Sequence, residues 1–303
     1  MQKVVVIVGP TASGKTKLSI ELAKKLNGEI ISADSMQIYR EMDIGTAKPT
    51  IEEQENVQHY MIDVVLPNQR YSVSDYTKQA QKHIETILEK KKMPIIVGGT
   101  GLYIDSLINE IEFIEQPTNF EYRNELEKIA NGQGLQKLYQ MAKEIDYEAT
   151  EKISENDKKR IIRILEIYEQ TGKTKTQLDM ESRRKELKFD YKVFGINMNR
   201  QELYNRINLR VDKMFEQGLI EEVKNIYVKY NEFPTSMQGI GYKEVVEYLK
   251  NNITKEEMIE KIKQESRRYA KRQLTWFRKN KEIKWLDGEQ SLIENINIIL
   301  ENL

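Results

Sequence analysis

Cysteine is absent from the 303-residue sequence, which excludes disulfide bonds and metal sites built on thiolates. No hydrophobic run approaches the roughly 18 to 20 residues that span a bilayer, so we expect no membrane partner. The apolar run at residues 3–8 starts almost at Met1 and is interpreted as a strand, which leaves no room for a cleavable signal. These absences predict a protein of a reducing compartment, the cytoplasm.

Net charge is missing as well, since 48 Lys and Arg residues balance 48 Asp and Glu residues. The overall charge therefore gives no indication of a nucleic-acid partner. The distribution is less even, because eight Lys or Arg residues and a single acid, Glu265, lie between Lys263 and Lys281. This basic stripe is either an RNA-binding face or a helix face in water, and composition leaves both open.

Apolar residues make up 39% of the chain and charged residues 32%, which is typical of a globular protein with a proper core. Short β-branched runs alternate with helical patterns, and this alternation predicts an α/β fold with a parallel sheet flanked by helices. The predicted strands are residues 3–8, 29–33, 60–65, 94–98, 192–198 and 283–286. Residues 116–190 show only helical patterns, which predicts a helical insertion domain between a core at 1–115 and its completion, with C-terminal helices, at 191–303.

A glycine-rich motif follows the first predicted strand and precedes an amphipathic helical pattern. It matches G-x-x-x-x-G-K-[ST], the P-loop, whose backbone amides wrap a phosphate at a helix N-terminus. Lys15 would bring positive charge to the outer phosphates, and Thr16 a hydroxyl ligand for Mg²⁺. The motif predicts a P-loop NTPase-like fold that binds a di- or triphosphate with Mg²⁺, without specifying a nucleotide. The predicted diphosphate-binding residues of the motif are Gly9, Pro10, Thr11, Ala12, Ser13, Gly14, Lys15 and Thr16.

A P-loop site commonly includes a carboxylate, and the ends of the other predicted strands are the positions where one is expected. The strand at 94–98 ends in Gly98 and Gly99, without the acid that many P-loop NTPases carry there. Asp34 is the better candidate, because it closes the strand at 29–33 and the carboxyl ends of parallel strands line the ligand crevice. A turn or helix-cap role explains Asp34 equally well, and the residues alone leave both open.

Two arginines four positions apart, Arg206 and Arg210, share one face of a predicted helix. They form either a solvated face or a second clamp on the diphosphate, since a guanidinium binds phosphate through two hydrogen bonds. In the basic stripe, Arg268 and Arg272 share a face and are predicted to contact RNA phosphates. Interleaved aromatic residues such as Trp276 either stack on unpaired bases or anchor the helix to the core.

Further segments carry motifs that are more specific than the P-loop. They are Asp34-Ser-Met-Gln-Ile-Tyr39, Met42-Asp-Ile-Gly-Thr-Ala-Lys-Pro49, Val97-Gly-Gly-Thr-Gly-Leu-Tyr103, Asn156-Asp-Lys-Lys-Arg-Ile-Ile-Arg163, Gly239-Ile-Gly-Tyr-Lys243 and Ala270-Lys-Arg-Gln-Leu-Thr-Trp-Phe-Arg278. Together they resemble the bacterial tRNA dimethylallyltransferase (tRNA isopentenyltransferase) family, over essentially the whole chain. One local departure is Lys158, where many relatives carry proline, and it affects the shape of a loop rather than the chemistry.

The resemblance implies that the P-loop holds dimethylallyl diphosphate rather than a nucleotide. The C5 group would pass to the exocyclic N6 amine of the adenosine immediately 3′ of the anticodon in tRNA, and pyrophosphate would leave. Asp34 matches the general base of the family, and Thr11 matches a threonine near the reacting centre. The chemistry agrees, because a delocalised amine lone pair needs a base, and the departing pyrophosphate needs cations.

The same resemblance implies that the anticodon stem-loop of tRNA is a partner of a monomeric enzyme. Loop residues after the second strand would hold the target adenosine, and the helical insertion would contact the RNA. The tRNA-binding residues expected from the resemblance and from the basic stripe are Asp34, Ser35, Met36, Gln37, Thr100, Arg123, Lys159, Arg160, Ile161, Ile162, Arg163, Arg268 and Arg272.

Two other classes of protein compete with this interpretation. A P-loop kinase of a small molecule would use Asp34 as the base for a hydroxyl acceptor. The motif at Gly98-Gly-Thr100 and the basic C-terminal helix argue against it, because neither has an obvious task in a small kinase. A nucleotide-dependent RNA-binding switch protein would need a switch loop and an acid after a second strand, and the sequence shows neither.

Overall fold

A parallel β-sheet forms the centre of the protein in the computed structural model, which describes residues 1–111, 113, 119–182 and 186–303. The strands are β1 (Gln2–Val8), β2 (Gly28–Ala33), β3 (His59–Tyr60), β4 (Met93–Gly98), β5 (Phe189–Asn197) and β6 (Lys284–Asp287). Their order in the sheet is β3-β2-β4-β1-β5-β6, and every pairing is parallel. Residues 4–8 of β1 are 0% exposed, as expected for a central strand covered on both faces.

The helices follow the strands in an α/β succession. They are α1 (Lys15–Leu26), α2 (Ile51–Gln54), α3 (Val73–Glu89), α4 (Gly101–Ile108), α5 (Phe120–Gln133), α6 (Leu135–Ile145), α7 (Tyr147–Thr150), α8 (Lys158–Thr171), α9 (Lys175–Ser182), α10 (Arg200–Glu216), α11 (Leu219–Lys229), α12 (Tyr242–Leu249), α13 (Lys255–Phe277) and α14 (Leu292–Leu300). None of the helices in the described ranges combines the length and the apolar content that crossing a membrane requires.

The chain divides into two compact units, the first comprising residues 1–108 and 187–303 and the second residues 109–186. In the first unit, α3 and α4 cover one face of the sheet with side chains such as Ile84 and Leu107. Helices α1 and α14 cover the other face with Leu22 and Ile299. The first unit is therefore a three-layer P-loop NTPase-like fold.

The second compact unit contains α5 to α9 and has a core of its own, built from Leu126, Leu138, Ile161 and Leu165. The sequence predicts a helical insertion at 116–190, and its first boundary lies outside the described residues. At the other boundary, the strand predicted from residue 192 starts at Phe189. The last residues of the predicted insertion therefore belong to the sheet.

The strand predicted at 60–65 is wrong in its extent, because β3 covers only His59–Tyr60. Met61 and Asp63 adopt left-handed backbone conformations, with φ angles of 63° and 56°. These angles are incompatible with an extended strand, although the β-branched composition of the segment suggested one.

The register of the sheet brings three loops together. Val8 at the end of β1 pairs with Gly98 at the end of β4, and Gly98 pairs with Ala33 at the end of β2. The segments that follow these strands are the P-loop, Asp34 and its neighbours, and Gly99 with the residues after it. They meet at the carboxyl edge of the sheet, where open parallel sheets bind their ligands.

Candidate active site

A cavity of about 400 Å³ opens at this edge, within the first compact unit. Residues of the P-loop, residues 34–37 after β2, and Gly98 and Gly99 after β4 form its polar walls. The other walls come from α10, α13 and residues 45–47. A concave site of this size with several converging polar groups fits a small, charged ligand.

The P-loop enters α1 at Gly14, whose backbone is left-handed with a φ of 90°. A side chain would be strained in that conformation, so the turn requires glycine. Thr11, Lys15 and Thr16 line the cavity. The other residues predicted to bind diphosphate form the turn that carries these side chains: Gly9, Pro10, Ala12 and Ser13.

Lys15 has an unusual electrostatic setting. Its Nζ donates a hydrogen bond to the carbonyl oxygen of Pro10 at 2.6 Å. Burial, followed by the positive charge of Arg210, lowers the pKa of Lys15 to about 7, and the charge of Asp34 opposes the shift. A phosphate group beside Nζ would favour the charged form and raise this pKa again.

Diphosphate binding is therefore expected to be coupled to proton uptake by Lys15. Below its pKa of about 7 the ammonium already carries the proton, and above that pH the proton must be taken from solution. Uptake should be small near about pH 6 and approach about one proton near about pH 8.5. Calorimetric titration with inorganic pyrophosphate, in buffers of different ionisation enthalpy, measures the number of protons. Lys15→Met is the control for protons exchanged by pyrophosphate itself, and equal counts in both proteins would contradict the prediction.

The two carboxylate oxygens of Asp34 have different surroundings. Its Oδ1 accepts hydrogen bonds from the backbone amides of Met36 at 2.9 Å and Gln37 at 3.3 Å, which is a side-chain turn typical of aspartate. Among the residues that the structure describes, Oδ2 has no hydrogen-bond partner. One oxygen therefore shapes the loop, and the other is able to accept a proton from a ligand in the cavity.

The loop after β2 is held in place from two sides. Thr100 Oγ1 accepts a hydrogen bond from the Ser35 amide at 3.0 Å and donates to Ser35 Oγ at 3.3 Å. Gln37 Nε2 donates to the carbonyls of Thr46 at 3.4 Å and Ala47 at 3.3 Å. Thr100, predicted to contact tRNA, thus orients the residue next to Asp34. Five of the predicted tRNA-binding residues line the cavity itself: Asp34, Ser35, Met36, Gln37 and Arg272.

The two arginines of α10 separate in the structure. Arg210 lines the cavity, and its Nη2 donates to the carbonyl of Thr46 at 3.3 Å. Arg206 is exposed, and its Nε donates to Glu202 at 2.8 Å in an i,i+4 pair. This arrangement favours the clamp alternative for Arg210 and the solvated alternative for Arg206.

Helix α13 contributes residues that sequence reasoning did not assign. Gln273 is only 5% exposed; its Oε1 accepts from the Thr11 amide at 2.9 Å and its Nε2 donates to the Gly99 carbonyl at 2.9 Å. It therefore bridges the loops after β1 and β4. Tyr269 lines the cavity too, and burial with the charge of Asp34 raises its pKa to about 12. Helical spacing could have indicated this face, which comprises Ile262, Ser266, Tyr269 and Gln273.

The basic stripe on α13 divides in a similar way. Arg272 lines the cavity, with its guanidinium 5.7 Å from the centre of the Tyr269 ring. Arg268 is exposed and pairs with Glu265 at 2.6 Å. Only Arg272 is therefore adjacent to the cavity.

The anchoring alternative holds for the aromatic residues at the end of the stripe. Trp276 Nε1 donates to Asp105 Oδ2 at 2.8 Å. Phe277 is 1% exposed and belongs to the core beneath the sheet. Phe277 is therefore too buried to stack on a base, and the bond to Asp105 ties the partly buried Trp276 to α4.

Arg123, on α5 of the second compact unit, forms a two-point ion pair with Glu166. Its Nε and Nη2 donate to the two carboxylate oxygens at 2.6 and 2.8 Å, and Glu166 is 0% exposed. Removing Arg123 would leave the buried carboxylate of Glu166 without this partner, so Arg123 has a structural role in this unit in addition to any contact with RNA.

The predicted tRNA-binding stretch of α8 is amphipathic. Lys159, Arg160 and Arg163 are exposed. Ile161 and Ile162 are 0% and 5% exposed in the core of the unit, so their side chains cannot contact RNA. The prediction is corrected for these two residues, because a run of five helical residues cannot present one face.

The cavity also suits a magnesium ion that arrives with a phosphate ligand. Within the described ranges, no group of three or more His, Asp or Glu side chains could hold a metal by itself. Thr16 and Asp34 both line the cavity. Mg²⁺ keeps several waters and commonly binds one or two protein oxygens plus substrate phosphates, so these residues fit it.

The parallel sheet, the P-loop and the cationic cavity with a carboxylate define a P-loop protein whose site suits a phosphate-bearing ligand. A sequence model of the IPP transferase family matches residues 37–280. The chain belongs to this family.

Relatives with known names agree with this family assignment. The tRNA dimethylallyltransferase of Acetivibrio thermocellus is 48% identical over 99% of this chain and 98% of that protein. The tRNA dimethylallyltransferase of Bacillus cereus is 49% identical over 94% of this chain and 90% of that protein.

Solved structures are similar over the whole chain. The tRNA isopentenylpyrophosphate transferase of Bacillus halodurans has a TM-score of 0.75 at 43% identity, covering 99% of this chain and 96% of that one. A eukaryotic dimethylallyltransferase acting on tRNA has a TM-score of 0.83 at 31% identity, covering 100% of this chain and 80% of that one.

Proposed function

We propose that this chain, a prenyl-transferring enzyme that acts on tRNA, uses dimethylallyl diphosphate as donor. The acceptor is the exocyclic N6 amine of the adenosine immediately 3′ of the anticodon, and pyrophosphate is released. One observation carries the proposal: phosphate-binding cations, a carboxylate and an apolar wall surround a single cavity. The kinase and switch-protein alternatives lack support, because the relatives are named as transferases acting on tRNA.

The diphosphate would lie at the P-loop. The amides at the start of α1 and the Lys15 ammonium would supply hydrogen-bond donors, and Arg210, on α10, lines the same cavity. As the bond to the prenyl group breaks, negative charge grows on the leaving pyrophosphate. Fixed cations around that charge stabilise the transition state more than the ground state.

The C5 tail would be selected by the apolar wall, since the P-loop recognises only phosphates. Side chains of α10, α13 and the segment before α12 provide this wall. They are Ile207, Val211, Met214, Ile240 and Ile262. A nucleotide would have to place a polar ribose against the same surface, which costs desolvation without compensating hydrogen bonds.

The transfer step balances as a substitution at the first carbon of the prenyl group. The N6 nitrogen forms the new bond to that carbon, and the carbon–oxygen bond breaks with its electron pair leaving on pyrophosphate. The proton lost from N6 goes to Asp34 Oδ2, while Oδ1 stays in its turn with Met36 and Gln37. Thr11 lies on the P-loop wall of the same cavity and would orient the donor near the reacting carbon.

Mg²⁺ is proposed as cofactor, held by Thr16 together with the diphosphate and water. It would neutralise charge on the diphosphate and stabilise pyrophosphate as the leaving group.

The tRNA would be held by phosphate contacts and read at the flipped-out adenosine. We propose that the exposed cations of α8 and α13 contact phosphates, while the loop after β2 receives the base once it has left the anticodon-loop stack. Extruding a base costs a few kcal/mol, least for an unpaired one. The cations concerned are Lys159, Arg160, Arg163, Arg268 and Arg272.

Affinity for the anticodon stem-loop should therefore fall steeply with salt. The slope of log K against log salt is expected to be about −0.7 per phosphate contacted in single-stranded RNA. Replacing one of Lys159, Arg163 or Arg272 by Ala should flatten the slope by somewhat under one unit. Lys25→Ala is the matched control, because Lys25 is exposed in the last turn of α1, at the other edge of the sheet. Binding across a salt series provides the measurement, and slopes as steep as that of wild type in every variant would show that these side chains only face water.

Incubation with tRNA and labelled dimethylallyl diphosphate, in parallel with labelled ATP, tests the function itself. Label from the prenyl donor should enter tRNA, and label from ATP should not. If label from ATP enters a small-molecule acceptor and no label from the prenyl donor enters tRNA, the kinase alternative is favoured. We further propose that the enzyme acts as a monomer in the cytoplasm, where its tRNA substrate is found.

A further inference from the structure

The carboxylate of Glu222, on α11, is bound by the backbone of a loop that forms part of the cavity wall. Its Oε2 accepts from the amides of Asp43 at 2.9 Å and Ile44 at 2.7 Å, and its Oε1 accepts from the Gly45 amide at 3.1 Å. Three successive amides pointing at one anion form a nest, an arrangement that fixes the backbone conformation of the loop.

A fourth donor completes the arrangement. Tyr242 Oη donates to Glu222 Oε1 at 2.6 Å, and Tyr242 is 1% exposed. The ring lies so close to the loop that a Cβ added to Gly45 would be 2.5 Å from Tyr242 Cε2. The loop therefore passes between Glu222 and the ring of Tyr242, and only glycine allows it to do so.

The other side of the same loop holds groups of the cavity. The carbonyl of Thr46 accepts from Arg210 Nη2 at 3.3 Å and from Gln37 Nε2 at 3.4 Å. Among the described residues, no other hydrogen-bond acceptor of Arg210 is found. The loop thus connects the Glu222 carboxylate to the arginine that faces the P-loop.

Arg210 needs such a connection, because its surroundings disfavour its charge. Burial lowers the pKa of Arg210, although the charges of Asp34 and Glu53 oppose this shift. The charge of Arg210 in turn helps to lower the pKa of Lys15. Two cations in one cavity repel each other, and nearby dipoles or anions are needed to offset this repulsion. A carbonyl in a fixed position provides one such dipole.

Helices α10 and α11 are consecutive, and only Gln217 and Gly218 lie between them. The two helices bind the loop at two points, through Glu222 at the amides of residues 43–45 and through Arg210 at the Thr46 carbonyl. We propose that Glu222, completed by Tyr242, is a positioning residue that sets the Thr46 carbonyl and thereby aims Arg210 at the diphosphate. The inference rests on the proposed function of the cavity.

Calorimetry with inorganic pyrophosphate and Mg²⁺ on four proteins tests the proposal. These are wild type, Glu222→Gln, Arg210→Ala and the double variant. Glu222→Gln places an amide NH₂ group against the hydrogen-bond donors of the loop. It should weaken pyrophosphate binding about 10- to 100-fold, the usual loss for a charge-assisted hydrogen bond such as the one expected from Arg210 to a phosphate. In the Arg210→Ala background the same change should cost less than about twofold, because its effect acts through Arg210. Affinity for the anticodon stem-loop should stay the same.

Glu221→Gln is the matched control. Glu221 is the preceding residue on the same helix, is exposed, and pairs only with Lys224 at 3.8 Å within the described structure. It should bind pyrophosphate like wild type. Tyr242→Phe serves as a second variant in case Glu222→Gln unfolds, because it leaves the three amide bonds and removes one donor. It should weaken binding about threefold, again only when Arg210 is present.

A loss of pyrophosphate affinity that is equally large with and without Arg210 would overturn the proposal, and so would unchanged affinity in a folded Glu222→Gln protein. Failure of this proposal can be distinguished from failure of the proposed function. If wild type binds pyrophosphate but transfers no prenyl group to tRNA, the proposed function is wrong, and the four pyrophosphate affinities still test the role of Glu222.

Discussion

Replacement of Asp34 by Asn should lower the rate of prenyl transfer by about 10²- to 10⁴-fold, the usual loss when a positioned general base is removed. Asparagine keeps the Oδ1 acceptor, so the turn with the amides of Met36 and Gln37 can persist. It cannot accept the N6 proton. Single-turnover measurements with saturating donor and tRNA isolate this step from binding.

The pair Asp34→Asn and Asp34→Ala separates the two roles of this side chain. Alanine removes the turn as well as the base, whereas asparagine removes only the base. If Asp34→Asn turns over at the wild-type rate while Asp34→Ala is slow, Asp34 is a turn residue and the base lies elsewhere. Asp63→Asn is the control, because this carboxylate pairs with Lys48 at 2.6 Å and does not belong to the cavity wall.

Loss of the Lys15 charge should slow transfer by a similar factor and should also weaken donor binding. Lys15→Met removes the ammonium but keeps much of the volume of the side chain. Transfer should slow by about 10²- to 10³-fold, because a fixed donor to the developing charge is lost. Donor affinity should fall as well, whereas affinity for the anticodon stem-loop should be retained. Separate titrations of donor and RNA measure the two affinities.

Lys17→Met is the matched control for the second prediction. Lys17 lies one residue beyond Thr16 on the same helix, but its side chain is exposed to solvent. It should change donor affinity by less than about threefold, in keeping with a screened surface charge. A loss of RNA affinity without loss of donor affinity in Lys15→Met would contradict the assignment of Lys15 to the donor.

Local sequence patterns predict those parts of the fold that depend on neighbours in the chain. The buried run of β1 and the motif ending in Lys15 and Thr16 are of this kind, because a strand, a tight turn and a helix start each follow from a few adjacent residues. The positive φ angles of Met61 and Asp63 are not, since methionine gives no signal for a left-handed conformation and aspartate only a weak one. The predicted strand at 60–65 was too long for this reason.

Long-range hydrogen bonds account for most of what the sequence did not reveal about the site. In the sequence, Gln273 is one polar residue within a basic stripe. Only the fold shows that it forms hydrogen bonds with both the Thr11 amide and the Gly99 carbonyl. The separate positions of Arg206 and Arg210 depend likewise on Thr46, which is 164 residues from Arg210. Ile161 and Ile162 were wrongly assigned to RNA contact, because the motif was treated as a continuous stretch. In a helix, successive residues point in different directions, and these two side chains are buried.

The bond between Gln273 and the P-loop also affects when the enzyme can first work during its synthesis. Thr11 and Gln273 are separated by 262 positions. A ribosome adding about 5 to 20 residues per second needs on the order of 10 to 50 s to cover that distance. During this time the emerging chain already contains its phosphate-binding loop, yet the amide of Thr11 lacks the partner that fixes it. The walls of the cavity are therefore incomplete in the nascent chain until α13 has been made and has docked.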